Sequence, residues 1–192
     1  MTTVFLRRVP QISGILMFIF AMAFAQSQAQ ETPEEETANA NPALERLAEL
    51  VMRIDPASQI NETGTAWQMK VAETTLIVVT DPNADRMRIM TPIASASDVT
   101  DELMARMMQA NFDSALDARY ALAQGIIWGV FIHNLSDLSD KEFLSGLGQT
   151  VNVAKTFGTV FTSGAMVYGG GDSGEINRQL IEELLERGKD PV

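Results

Sequence analysis

The chain has 192 residues, with 14 Lys or Arg, 25 Asp or Glu, one His, no Cys and a formal charge of -11. That length fits one domain with a single hydrophobic core, and the acidic balance argues against a nucleic-acid binder, which needs a basic face for phosphates. The missing cysteines exclude a disulfide framework, a thiol nucleophile, a Cys-ligated zinc and an iron–sulfur cluster, and one His excludes a His-rich metal site within a single chain.

Residues 1–29 predict a secretory signal peptide. Arg7 and Arg8 form a basic start, an apolar run follows through Ile12, Leu16, Phe18, Phe20 and Phe24, and small-residue cleavage patterns end at Ala25 and Ala29. The run is shorter than the roughly 20 residues of a membrane span. The expectation is export to the periplasm, with no stable membrane insertion after cleavage. The exported chain keeps 12 basic residues against 25 acidic ones, a charge near -13. Residues 30–41 carry Glu31, Glu34, Glu35 and Glu36 without a large apolar residue, which predicts a disordered acidic spacer.

Asn41 is a good N-cap and Pro42 suits a first helical position; Leu44, Leu47, Ala48, Val51 and Ile54 then follow helical spacing to Asp55-Pro56. Three strands come next. Trp67, Met69 and Val71 alternate with Gln68 and Lys70; Leu76-Ile77-Val78-Val79 is apolar on both faces, as in an interior strand; Arg86 and Arg88 alternate with Met87 and Ile89. A second helix is predicted from about Asp98 to Gln109, with Leu103, Met104, Met107 and Met108 as its stripe. A fourth strand spans residues 119–123, Gln124-Gly125 turns, and residues 126–135 form the strongest strand. Ile126, Trp128, Val130 and Ile132 lie on one face of it, with Ile127, Phe131 and His133 on the other. Ser139 and Glu142 make a capping box before a third helix predicted from Asp140 towards Thr162. Residues 168–174 read as a glycine-rich break, and residues 176–187 as a short amphipathic helix ending at Gly188.

The order α-β-β-β-α-β-β-α, followed by a C-terminal helix, predicts an α+β fold with an antiparallel sheet flanked by helices. The folded domain is expected over residues 42–165. Residues 166–192 form a linker and a helix that either docks on its own core or reaches a partner.

Motifs that carry chemistry find no support. Gly171-Asp172-Ser173-Gly174 matches a serine-protease signature, but the only His sits in an apolar strand. Asp81-Pro82-Asn83-Ala84-Asp85 has the start of a calcium loop, yet Arg86 and Pro92 stand where that loop needs Gly and Glu. Tyr168-Gly169-Gly170-Gly171 lacks the Lys of a phosphate loop. His133 has no acid at near spacing and reads as a strand histidine satisfied locally. Asp137 and Asp140 read as helix-start residues. The expectation is no catalytic residue, no metal and no cofactor.

The exported chain keeps eight methionines, and a flexible thioether surface suits adaptable partner binding. A sheet with helices on one face leaves the other wet, yet two strands look apolar on both sides. A sister subunit, a helix or a client segment should cover that face. The candidate partner-binding residues are Trp67, Met69, Met104, Met107, Met108 and Trp128, with addition of a strand at a sheet edge as a plausible mode.

Ala110-Asn111-Phe112, closing the second helix, and Phe131-Ile132-His133-Asn134-Leu135-Ser136-Asp137-Leu138-Ser139, a strand leading to a capped helix, are recognisable words. With the element order, they make residues 41–163 resemble the YbjN family, within the larger class of folds like type III secretion chaperones. The resemblance implies a helix-flanked antiparallel sheet, frequently dimeric, with a binding role and no catalysis. The signal peptide sets this chain apart from type III chaperones, which work in the cytoplasm. The function expected is an exported, non-enzymatic protein-binding domain, chaperone-like or regulatory, with a protein segment or a second copy as partner. The alternatives are an envelope structural or stress protein that dimerises without a client, and a hydrolase using a carboxylate such as Asp98, Asp101 or Glu102.

Overall fold

The structure, a computed structural model, describes residues 41–113, 117–158 and 173–189. The expected signal peptide, residues 30–40 of the spacer, Met166 and Gly171-Asp172 lie outside these residues. Helix α1 is Pro42–Ile54, opened by Asn41, whose side-chain oxygen accepts from the Ala43 N–H at 3.0 Å. Then follow β1 (Gln59–Ile60), β2 (Ala66–Val71), β3 (Thr74–Asp81), β4 (Arg86–Ser95), a 3-10 turn (Ala96–Asp98), α2 (Asp101–Asp113), β5 (Arg119–Ala123), β6 (Ile126–His133), α3 (Asp140–Thr156) and α4 (Ser173–Arg187). The strands form one antiparallel sheet in the order β1-β2-β3-β4-β6-β5. The α+β class and the element order are as expected.

Several boundaries differ; among them β6 ends at His133, short of the expected Leu135, and α2 runs past Gln109 to Asp113. Strand β1 is new; two residues are too short to show alternation. Helix α2 starts at Asp101, because residues 96–98 make a 3-10 turn and the Thr100 hydroxyl accepts from the Leu103 N–H at 3.2 Å. Helix α3 stops at Thr156, where Phe157 leaves helical geometry and Gly158 takes φ +74°. Helix α4 begins at Ser173, so Ser173 and Gly174 belong to it and not to the glycine-rich break.

Alternation divides the strands between two faces. Trp67, Met69 and Val71 of β2, Leu76 and Val78 of β3, Met87 and Ile89 of β4, Ile127 and Phe131 of β6 and Tyr120 of β5 join the helices in one contiguous core. That core includes Leu47, Leu50, Val51 and Ile54 of α1, Met107 and Ala110 of α2, and Phe143, Leu144, Leu147 and Val151 of α3. Helix α3 is buried on all sides over residues 146–153. Two glycines allow this. A Cβ on Gly146 would sit 2.7 Å from the Phe131 ring, and one on Gly148 would sit 2.7 Å from Ile181 Cγ1, so sheet and α4 close on α3 from different sides. The buried Gln149 is satisfied: its carbonyl accepts from the Asp117 and Ala118 N–H groups at 2.7 and 3.1 Å, and its amide donates to Ser145 Oγ at 3.1 Å.

The C-terminal helix docks on its own core. Leu184 of α4 is fully buried, Arg187 donates to the Ile54 carbonyl, and Arg53 donates to the Gly188 carbonyl.

Candidate interaction face

The register defines the second face of the sheet. One row across it reads Gln68, Ile77, Met90, Val130, Arg119; the next reads Ala66, Val79, Arg88, Ile132. Beyond the first row lie Lys70 opposite Thr75, and Pro92, Trp128 and Ala121 in line. Pro92, which has no N–H to give the ladder, marks the shift of register between β4 and β6. The buried residues of the described helices join the core on the other side. Ile77 and Trp128 are buried but stand outside that core, while Val79, Met90 and Val130 are half-buried and Ile132 is 53% exposed.

The face has a distinct charge. The six strands contain four basic residues, Lys70, Arg86, Arg88 and Arg119, and one acid, Asp81. All four cations point to the open face by strand alternation. Arg86 donates to Asn134 Oδ1 and to the Asp85 carbonyl, and Arg119 donates to the Ala118 carbonyl. Among the described residues, none of the four lies within 4.0 Å of a carboxylate oxygen, although Arg86 is near enough to the Asp85 carboxylate to add to the lowering of its pKa by Ser136. The Asp81 carboxylate instead accepts from the Asn83 and Ala84 N–H groups, both at 3.0 Å.

The sheet edges are partly occupied. On β5, the Asn111 side chain accepts from the Tyr120 N–H at 2.8 Å and donates to the Tyr120 carbonyl at 3.0 Å, as a neighbouring strand would. On β2, Asp55 accepts from the Lys70 N–H at 2.7 Å and Asn61 from the Ala66 N–H at 3.0 Å. Strand addition is left with the two-residue edge of β1 and with β5 beyond Tyr120, where Leu122 is 57% exposed.

The sequence candidates separate across this geometry. Trp67, Met69 and Met107 are buried on the helix-covered side, Met104 is half-buried against the same core, and Met108 is 49% exposed on α2. Trp128 alone lies on the open face, with its ring N–H donating to the Ala123 carbonyl at 3.1 Å. Val79, Met90 and Ile132 were not among the candidates; the alternation of β3, β4 and β6 is the signal that finds them.

At the end of the sheet, His133 lies 3.9 Å from Glu142 Oε1, with its Nδ1 2.8 Å from the Asn134 carbonyl and its ring stacked on Phe131. The acid partner is nine residues away and reached through a loop, so near spacing does not show it. Glu142 also accepts from the Ser139 hydroxyl at 2.6 Å and N–H at 2.8 Å, and these bonds lower its pKa, with His133 adding to the effect. The order is serine, carboxylate, imidazole, so the hydroxyl is not activated by the imidazole as a nucleophile requires. Asp85 is lowered as well, first by the Ser136 N–H and then by its hydroxyl, at 2.7 and 2.8 Å. Both shifts run opposite to that of a general acid. Asp98, Asp101 and Glu102 are exposed around the start of α2. Among the described residues, no cluster of three or more His, Asp or Glu could hold a metal, and no helix is long and apolar enough to cross a membrane.

No family model and no curated protein matches the chain. Three solved structures are similar to part of the chain. The HopA1-SchA chaperone-effector complex aligns at 9% identity and TM-score 0.47, over 62% of this chain and 97% of that one. The ExsC-ExsE complex aligns at 14% and 0.49, over 62% and 93%. The Yersinia pestis type III secretion chaperone SycH, in complex with a stable fragment of YscM2, aligns at 17% and 0.45, over 60% and 98%.

Proposed function

We propose that the chain is an exported, non-enzymatic protein-binding domain, chaperone-like or regulatory, whose working surface is the open face of the sheet. The observation that carries this reading is the continuous apolar strip of Ile77, Val79, Met90, Val130 and Ile132 on a face that no described helix covers. A flat apolar strip of this kind is stabilised by a second protein surface laid over it. The words at residues 110–112 and 131–139 support the YbjN type within this class, and the pattern of residues 1–29 supports export to the periplasm. The carboxylates with displaced pKa values are tied into turns and a helix cap, which favours a structural role for them over catalysis.

A second reading, a homodimer without a client, rests on the same strip, since a two-fold pairing lays one patch against itself. One experiment addresses both. A photo-crosslinking residue replaces Ile132 in cells of the source organism, with Met52, exposed on α1, as the control position. A discrete heterologous adduct at Ile132 alone is the expected result. An adduct only with itself, together with a concentration-independent dimer by light scattering, establishes the homodimer instead. The same adducts at both positions, or none, overturn the assignment of the face.

A further inference from the structure

The charge of the open face is opposite to that of the molecule. The whole chain holds 14 basic and 25 acidic residues, yet its sheet holds four cations and one acid. Arg88 is the sharpest case. It lies between Val79 and Ile132 across the strands and between Arg86 and Met90 along β4, so apolar side chains flank it on three of four sides. It is exposed, and among the described residues its guanidinium has neither a hydrogen bond nor an ion pair. The Lys70 ammonium, at the edge of the same face, is likewise without a partner among them. A guanidinium is planar and presents five donors, and a carboxylate satisfies two of them in one bidentate contact.

We propose that the open face takes an extended protein segment in which acidic and apolar side chains alternate at every second residue, so that both kinds lie on the one side that meets the sheet. This rests on the protein-binding reading of that face and names the chemistry of its partner. The apolar side chains of such a segment lie on Met90, Val130 and Ile132, and its carboxylates meet Arg88 and Lys70. Successive same-side residues of an extended chain are about 6.6–6.8 Å apart, which is also the pitch of Arg86, Arg88 and Met90 along β4. A second copy is the poorer occupant, because a two-fold pairing of this patch brings cations against cations. An anionic membrane is poorer as well: Ile77 and Trp128 are buried and Val79, Met90 and Val130 half-buried, which leaves Ile132 as the main apolar side chain raised for insertion.

The test is fluorescence anisotropy on the exported chain with three labelled 12-residue peptides, each a threefold repeat: Glu-Ser-Val-Ser (Glu/Val), Lys-Ser-Val-Ser (Lys/Val) and Glu-Ser-Ser-Ser (Glu/Ser), in which every second residue faces the sheet. Phosphatidylglycerol vesicles serve as a fourth probe. The expected result is binding of the Glu/Val peptide above the others, weakened about tenfold by the double change Lys70→Glu and Arg88→Glu and unchanged by Lys155→Glu on α3. Equal binding of the Glu/Ser peptide reduces the face to an anion patch and overturns the proposal, as does vesicle binding without peptide binding. Binding of the Lys/Val peptide equal to that of Glu/Val, lost in Ile132→Asp, overturns the acidic preference and leaves the protein-binding face standing. Absence of any peptide binding overturns the proposal, and the Ile132 adduct then decides the wider reading separately.

Discussion

Asp85 holds two parts of the molecule together with one carboxylate. Its backbone is left-handed, at φ +51°, and its oxygens take the N–H and hydroxyl of Ser136, tying the β3–β4 turn to the loop after β6. Glu142 does similar work within the α3 cap. Both carboxyls have lowered pKa values in the folded state. The sign follows from proton linkage: their contribution is fully present above the unfolded carboxylate pKa and is lost as pH falls through the lowered folded value. The Asp85→Asn, Glu142→Gln double variant should therefore melt below wild type near neutral pH, and the gap should narrow as pH falls below the ordinary carboxylate pKa of about 4. A gap in Tm that stays constant across that range would sink the assignment. The Ser139–Glu142 box was legible in the sequence because its partners are three residues apart. The Asp85–Ser136 contact spans 51 residues, and no local pattern encodes it. The Asn111 clamp on Tyr120 escaped for a related reason: the word containing Asn111 was visible, but the strand edge it satisfies was not.

At the scale of elements, periodicity shows which face a segment buries and not against what. The alternation of β6 assigned Trp128, Val130 and Ile132 to one face and Ile127 and Phe131 to the other, as the structure has them. The β2–β3 hairpin gave no signal, because its two-residue turn places Ala72 and Glu73 at φ +47° and +64°, where Asn-Gly is the usual pair. The C-terminal helix shows both sides of the lesson. Leu180, Ile181, Leu184 and Leu185 announced an amphipathic stripe, but the groove that receives it depends on Gly148, whose missing Cβ is a fact about packing. If α4 is part of the core, Leu184→Ala should cost about 2–5 kcal/mol, a large share of a usual domain stability of about 5–15 kcal/mol. Urea unfolding followed by circular dichroism reads this directly. A variant with an unchanged midpoint would make α4 an appendage, against its full burial and the Arg187–Ile54 and Arg53–Gly188 contacts.

For the whole molecule, charge and hydropathy are sorted onto the same two sides. The sheet's open face collects Lys70, Arg86, Arg88 and Arg119, while 18 of the 19 acids among the described residues lie outside the strands. This sorting makes ionic strength a discriminating variable. Two copies meeting through their open faces bury apolar area against like-charge repulsion, and salt screens that repulsion. An acidic segment on the same face is held partly by attraction, which salt also screens. The Debye length falls from about 10 Å at 0.1 M to about 3 Å at 1 M, so both effects are large between roughly 50 and 500 mM NaCl. Self-association through this face should strengthen over that range, and binding of the Glu/Val peptide should weaken. Light scattering and anisotropy on the same samples read the two slopes together. Opposite signs are the expected outcome, because one patch of fixed charge takes part in both contacts. Slopes of the same sign would mean that the two contacts use different surfaces, and the open face would then have to be assigned to one of them alone.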